Sequence, residues 1–427
     1  MSAPVAAVIF IAVYALIVTE RLHRTLAALA GASVVLLVGL LTQAEAFSES
    51  VIDFNVIFLL TGMMIIANIL SKTGIFQWLA VQAIRYSQGR AYRLLVTTSL
   101  ITAVASAFLD NVTTVVLLTP ITFFVARRLE VSPVPFLISQ VIASNVGGTA
   151  TLIGDPPNIL IGSRFGKDFG DFLLNLTPTC GLALAVYLLF ARWLYRSELA
   201  AANTALAADD IERLVRDERT IEDAPLMRKS LAVLGLTIAG FLASRPLHLE
   251  SATIALAGAV ALMIVAREDV HEVLRSVEWS TLFFFVGLFI VVGAVVKAGI
   301  IAAIADDALG LTGGNVAVAS FLVLWMSGIL SAVVDNIPYT LTMIPLVQEL
   351  GQHLNVEPLI WALALGANFG GNATLVGASA NVVVASMSEA EGAPITFRRF
   401  LRYGVPATLL TMVVASVDVW VRYLVFT

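Results

Sequence analysis

The 427-residue chain is 59% hydrophobic and 13% charged, with a formal net charge of −5. Soluble domains carry about 25% charged residues, so this composition excludes a soluble globular domain; the slightly acidic charge, spread over many short loops, says nothing about nucleic acid, and no nucleic-acid partner is expected. One cysteine, Cys180, rules out an intrachain disulfide framework and a Cys-pair metal site, and no cofactor is expected.

Apolar runs of ~20 residues predict membrane-spanning helices in a lipid bilayer, where barrel strands would give shorter alternating segments. In chain order they fall at residues 3–19, 26–42 and 54–71, then a segment at 94–126, then 133–163 and 172–194. No basic region precedes Val5, so the first run reads as a span and not as a cleaved signal peptide. From 195 to 229 the chain turns polar, with Asp209, Asp210, Arg213, Arg216 and Lys229 among its charges, and reads as a partly helical connector. Spans resume at 230–245, 251–266 and 280–297, followed by a segment at 316–350, then 356–388 and 404–424.

The second set repeats the first. Ser106-Ala-Phe-Leu-Asp110-Asn111 returns as Ser331-Ala-Val-Val-Asp335-Asn336, 225 residues further on, and Gly62, Lys72, Gly74 and Pro120 return as Gly287, Lys297, Gly299 and Pro345 at that same spacing. A second motif, Asn145-Val-Gly147-Gly148-Thr149-Ala-Thr151-Leu-Ile-Gly154, returns as Asn368-Phe-Gly370-Gly371-Asn372-Ala-Thr374-Leu-Val-Gly377. The expected organisation is a first inverted repeat (1–194), a cytoplasmic connector (195–229) and a second inverted repeat (230–427).

The segments around the two Asp-Asn pairs suit two half-length helices meeting at a polar tip better than one helix with a buried acid. With five crossings and one such hairpin per half, only Arg164, Lys167, Arg245, Lys297 and Arg422 of the 25 Lys and Arg fall outside the cytoplasm, as the positive-inside rule asks. Both termini are then extracytoplasmic. The fold class expected is an all-α polytopic membrane protein of two inverted repeats, each with five transmembrane helices, one re-entrant hairpin and a broken helix.

At the tips, Asp110 and Asp335 could cap the returning helices through their carboxylates. A carboxylate at bilayer depth costs about 2.5–3.5 kcal/mol on insertion scales, and Ser or Thr would cap without it, so both acids are candidates for function, with Asn111 and Asn336 beside them. The Asn-Gly-Gly-Thr runs could serve close helix packing, but they make a poor continuous helix and suit a broken one lining a cavity. This adds Asn145, Gly148, Thr149, Thr151, Asn368, Gly371, Asn372 and Thr374 as candidate substrate contacts. Asp155 before Pro156-Pro157-Asn158 reads as a helix restart capped by its carboxylate. Its counterpart is Ala378, so Asp155 is also the one buried acid without a twin and joins Asp110 and Asp335 as a candidate proton carrier. Lys72 and Lys297 stand at span ends, where snorkelling accounts for them.

These residues carry a resemblance. Leu109-Asp110-Asn111-Val112-Thr113-Thr114 with Pro120, and Asn145 through Gly154-Asp155-Pro-Pro-Asn158, resemble the signatures of the ion transporter superfamily, most closely the branch of arsenite permeases and pink-eyed-dilution permeases. The resemblance spans both halves and implies a scaffold and a transport domain, alternating access, a homodimer and, for arsenite permeases, an ATPase subunit as a partner. Dicarboxylate carriers of the superfamily have Ser-Asn-Thr at the hairpin tip. Asp110 and Asp335 replace that Ser, and two carboxylates oppose the positive field of the helix N-termini that would hold an anion.

The expected function is a secondary transporter of the inner membrane that exports arsenite or antimonite, neutral trihydroxides at physiological pH, in exchange for protons. A sodium/proton antiporter is the alternative, since Asp335-Asn336-Ile-Pro338 resembles the tip of one such branch. A sodium-coupled anion transporter or a channel using the same cavity follows. An intramembrane enzyme is not expected: no His-Glu-x-x-His occurs, and His23, His248, His271 and His353 fall in or beside loops.

Overall fold

A computed structural model describes residues 2–425 except 20, 89, 129–130, 202–220 and 222; most of the polar connector expected at 195–229 lies outside the described residues. The described chain is helical. The first half supplies α1 (Ser2–Val18), α2 (Arg24–Leu37), α3 (Phe54–Ser71), α4 (Ile75–Ser87), α5 (Ala91–Phe108), α6 (Asn111–Arg128), α7 (Val134–Thr149), α8 (Pro156–Phe165) and α9 (Thr177–Leu194). The second half follows with α10 (Ala224–Leu242), α11 (Ser251–Ala266), α12 (Trp279–Lys297), α13 (Ile300–Thr312), α14 (Val316–Ser331), α15 (Asn336–Leu350), α16 (Val356–Gly370), α17 (Ser379–Ala390) and α18 (Phe397–Val419). Each helix of the first half has its counterpart nine labels later.

Packing respects the repeat. In one group α3 lies on α11 and α2 on α12. The recurring glycines sit at these crossings: a Cβ on Gly62 would stand 2.7 Å from the Ala255 carbonyl carbon, and one on Gly287 2.7 Å from that of Ala28. The backbones touch because nothing stands between them. The recurring lysines brace the same group. Lys72 Nζ lies 2.6 Å from Glu268 and Lys297 Nζ 2.6 Å from Glu45, so each ties its own half to the other rather than only reaching for water. The hydrogen-bonded Lys297 ammonium holds the Glu45 carboxyl down at about 2.

In the other group α7 packs on α5, α6 and α9, and α16 on α14, α15 and α18. Ser99 meets Ser139 at 2.9 Å and Ser106 meets Ser144 at 3.0 Å, so α5 runs parallel to α7. Asn111 meets Asn145, whereas Thr122, further along α6, meets Gln140, earlier on α7. So α6 runs back along α7, and the chain reverses at Leu109-Asp110. In the second half Tyr339 of α15 reaches Ser327 of α14 at 3.0 Å, again a hairpin. The arms are longer than the half-length helices expected: α5 and α6 have 18 residues each, about 27 Å at 1.5 Å per residue. They extend past the apolar stretch into residues such as Arg93 and Arg127, because Ala, Tyr, Leu and Arg there continue a helix without a breaker.

The halves also exchange parts. The restarted helix α8 packs on α15, and α17 packs on α6, so each hairpin is closed by the other half's broken helix.

Candidate functional site

Both breaks are built alike. In the last turn of α7 a Cβ on Gly148 would come within 2.5 Å of the Gly154 carbonyl oxygen, and just after α16 one on Gly371 within 2.9 Å of that of Gly377. Thr151 Oγ1 donates to the Ala107 carbonyl, and Thr374 Oγ1 to Ala332 at 2.5 Å, stapling each break to a hairpin tip. Asn158 Nδ2 donates to the carbonyls of Thr149 and Thr151 at 2.9 and 2.7 Å, and Asn381 Nδ2 to those of Gly371 and Thr374, both at 2.8 Å. These side chains satisfy carbonyls that the interrupted helices leave without partners.

The tips and breaks meet in a buried asparagine network. Asn111 Nδ2 donates to Asn145 Oδ1 at 3.1 Å, and its counterpart Asn336 Nδ2 to Asn368 Oδ1 at 3.3 Å. Asn145 Nδ2 crosses to Asn381 at 3.1 Å and Asn368 Nδ2 to Asn158 at 2.8 Å, a reciprocal pair across the halves. One member breaks the symmetry. Asp155, fully buried, accepts from Asn111 at 2.9 Å and from Asn336 at 3.3 Å, so a single carboxylate touches both hairpin tips. The capping role read for it does not hold: Asp155 occupies the N-cap position of α8, but its side chain makes no capping bond. Its carboxylate turns instead to the two amides, which are better placed to satisfy it.

The remaining candidates divide. Asn372 joins the network, accepting from Asn145 at 2.9 Å, while its own Nδ2 is buried without a partner. Thr149 Oγ1 bonds to the Asn145 carbonyl within its own helix, so Thr149, Thr151 and Thr374 hold backbone, and Gly148 and Gly371 close the breaks. Asp110 caps α6 by accepting from the Thr113 amide at 2.8 Å. Asp335 caps α15 from Ile337 at 3.0 Å, but also accepts from Ser379 Oγ at 2.6 Å and lies 3.8 Å from Arg24 Nη1, which itself donates to Ser379. The positions equivalent to Arg24 and Ser379 are Leu249 and Pro156. Asp335 therefore has a cation and Asp110 has none at the matching place. A further acid, Glu278, exposed just before α12, has its pKa raised by partial desolvation and then by the Asp110 charge, against the pull of Arg24.

Arg24, Ser379, Asn158 and Asn381 were not among the sequence candidates. The matching of Asn158 with Asn381 in the repeat was the available signal for that pair; Arg24, at the start of a span with no counterpart, had none. Arg24, His23, Asp335 and Ser379 line a cavity of about 380 Å³ that opens beside the second tip. Among the described residues no cluster of three His, Cys, Asp or Glu is placed to hold a metal ion.

Residues 14–366 match the family described as citrate transporter. An uncharacterized transporter of Mycobacterium tuberculosis is 44% identical over 428 residues, 99% of either chain, and a 46 kDa membrane protein of Mycobacterium leprae 42% over 427 residues, again 99% of either. The human P protein is 35% identical over 504 residues, covering 98% of this chain, which spans 59% of that protein. Among solved structures, the YdaH transporter of Alcanivorax borkumensis superposes with a TM-score of 0.62 over 90% of this chain and 87% of that one at 15% identity, a likeness of fold.

Proposed function

The chain belongs to the citrate-transporter family, in the branch of the ion transporter superfamily that holds the arsenite and pink-eyed-dilution permeases, and on that premise we propose that it is a proton-coupled exporter of arsenite or antimonite. It is a multi-pass membrane transporter; the substrate, the coupling ion and the mechanism are the proposal. The observation that carries it is the Asp155 carboxylate bonded to Asn111 and Asn336, because one group shared by both hairpins is a group whose protonation both hairpins feel. A buried carboxylate stays ionised only while its partners compensate for lost water. Movement of one tip away from Asp155 removes such a partner and favours proton uptake, and return releases the proton. Asp110, Asp155 and Asp335 around a single arginine give a site with surplus negative charge, which favours a neutral trihydroxide or a cation over an anion. Hydroxyl and amide groups can hydrogen-bond to that load without capturing it, and the lone cysteine, Cys180, is buried on α9 and is not one of the network's bonded residues. In this reading the protein lies in the inner membrane with its connector in the cytoplasm, and the hairpin group moves against the α2–α3–α11–α12 group.

A second reading, a carboxylate anion such as the family description names, is favoured by Arg24 at the wall of the 380 Å³ cavity. Everted membrane vesicles separate the two. Under an imposed proton gradient, labelled arsenite accumulating while citrate does not is the expected result. Citrate accumulation lost in Arg24→Gln would move the assignment to the anion, and sodium accumulation alone would make the protein an antiporter.

A further inference from the structure

Outside the asparagine network, a basic cavity lies between α4 and the first turns of α5. It measures about 780 Å³ and is lined by Arg85, Tyr86 and Gln88 from α4 and its end, and by Tyr92, Arg93 and Thr97 from α5. Positions 82, 85 and 86 share one face of α4, and 92, 93, 96 and 97 share one face of α5, so the two helices turn these side chains toward one space. We propose that this cavity binds the phosphate of an anionic phospholipid headgroup.

Three features of the cavity fit an anion. Arg85 and Arg93 are exposed and, among the described residues, neither has a carboxylate partner; Arg93 donates only to Gln88 Oε1 at 2.9 Å. Arg192 adds a third cation at the rim, its guanidinium 5.8 Å from the centroid of the Tyr92 ring. The N-terminus of α5 is also open: Arg90 occupies the N-cap without a side-chain bond, leaving first-turn amides for an external acceptor.

The repeat supplies an internal control. Arg85, Arg90 and Arg93 correspond to Gly310, Asn315 and Val318, and Gln82 to Asp307, so the matching place in the other half carries no cation. There Asn315 caps its helix, accepting from the amides of Ala317 and Val318 at 2.9 and 3.2 Å. The fold needs neither the arginines nor an open helix end at this position, since its own second copy does without both.

The occupant is a lipid rather than a soluble phosphate because of where the cavity sits. Ala91 begins an apolar helix of 18 residues, so the cavity lies at the level where such a helix leaves the hydrocarbon. Tyr86, 74% exposed, lines it as interfacial aromatics do. With the orientation proposed above, this level is the cytoplasmic leaflet, whose anionic lipids attract clustered arginines.

The test compares purified wild type with the double variant Arg85→Gln/Arg93→Gln and with Arg85→Lys/Arg93→Lys. Each is reconstituted in equal mixtures of phosphatidylglycerol and phosphatidylcholine, and the tightly held lipid is measured by mass spectrometry. Wild type should retain phosphatidylglycerol in at least fivefold excess, the Gln pair should lose that excess, and the Lys pair should keep most of it. Equal enrichment in wild type and the Gln pair overturns the proposal, and should the Gln pair fail to fold, equal enrichment of the two lipids by wild type or the Lys pair does so. Displacement of the lipid by millimolar glycerol phosphate would make this a soluble-phosphate site and overturn the lipid assignment.

Discussion

The side-chain amide of Asn111, at the tip of the first hairpin, donates to the Asp155 carboxylate at 2.9 Å across the break in the following helix. Asn336 approaches the same carboxylate from the second hairpin. An asymmetric residue thus holds together a pair of symmetric ones. Asp155→Ala installs the residue found at the equivalent position, Ala378, but leaves two buried amides short of an acceptor, at about 1–3 kcal/mol for each group left unsatisfied. Asp155→Asn keeps an acceptor oxygen. Thermal unfolding in detergent should rank wild type and Asp155→Asn close together and Asp155→Ala clearly lower; equal melting of the two variants would mean the amides find other partners.

Asp110 and Asp335 should behave differently despite their matching positions. Asp335 is held by Arg24 and Ser379, whereas Asp110 has no cation at the equivalent place and its charge acts on that of Glu278. Replacing Asp110 by Asn should alter the pH profile of transport, and Asp335→Asn, which leaves Arg24 without its carboxylate, should lower the rate. Arg24→Gln and Asp335→Asn should couple in a double-mutant cycle by about 1 kcal/mol, the low side of the range for contacting residues because the pair is partly exposed and 3.8 Å apart. Additive effects on unfolding would remove Arg24 from the site.

The crossings at Gly62 and Gly287 give a packing test. Gly62→Ala and Gly287→Ala each push a methyl group into facing backbone and should each destabilise by about 1–3 kcal/mol. Gly235→Ala, inside α10 with nothing within 4 Å of an added Cβ, should be neutral or stabilising by up to ~1 kcal/mol. Denaturation midpoints of the three variants decide it.

Glu278 supplies the pH dependence. Its folded pKa is raised, so the folded state holds that proton more tightly than the unfolded chain, and stability falls as pH rises from the ordinary glutamate range through the raised value. Glu278→Gln should therefore melt higher than wild type at neutral pH, the gain vanishing as pH drops below the ordinary range. A lower melting point for Glu278→Gln at neutral pH would mean that the charged form is the one the fold stabilises.

The repeat made much of this legible in the sequence. Asp-Asn tips and Asn-Gly-Gly breaks are local chemical patterns, and their recurrence at one spacing located both hairpins and the asparagines that meet between them. What sequence missed depends on contacts between distant segments. Nothing local to Asp155 distinguishes a cap from a carboxylate turned to two amides, and the choice is made by Asn336, 181 positions away. In the sequence Arg24 is one cytoplasmic arginine among many, and only the fold brings it beside Asp335. Snorkelling accounts for Lys72 and Lys297 in the sequence alone because their glutamates, Glu268 and Glu45, lie in the opposite half. Gly148, Gly371 and the break threonines carried a real signal of an interrupted helix, but their observed contacts are to backbone.

The central claim is that Asp155 couples protons to both hairpins. Proteoliposomes holding purified protein and an internal pH indicator measure it most directly, with an arsenite gradient imposed and proton counterflow recorded for wild type and Asp155→Asn. The account predicts counterflow with wild type and at least a tenfold loss with Asp155→Asn, while the variant keeps its melting temperature. Undiminished proton counterflow in Asp155→Asn would contradict it.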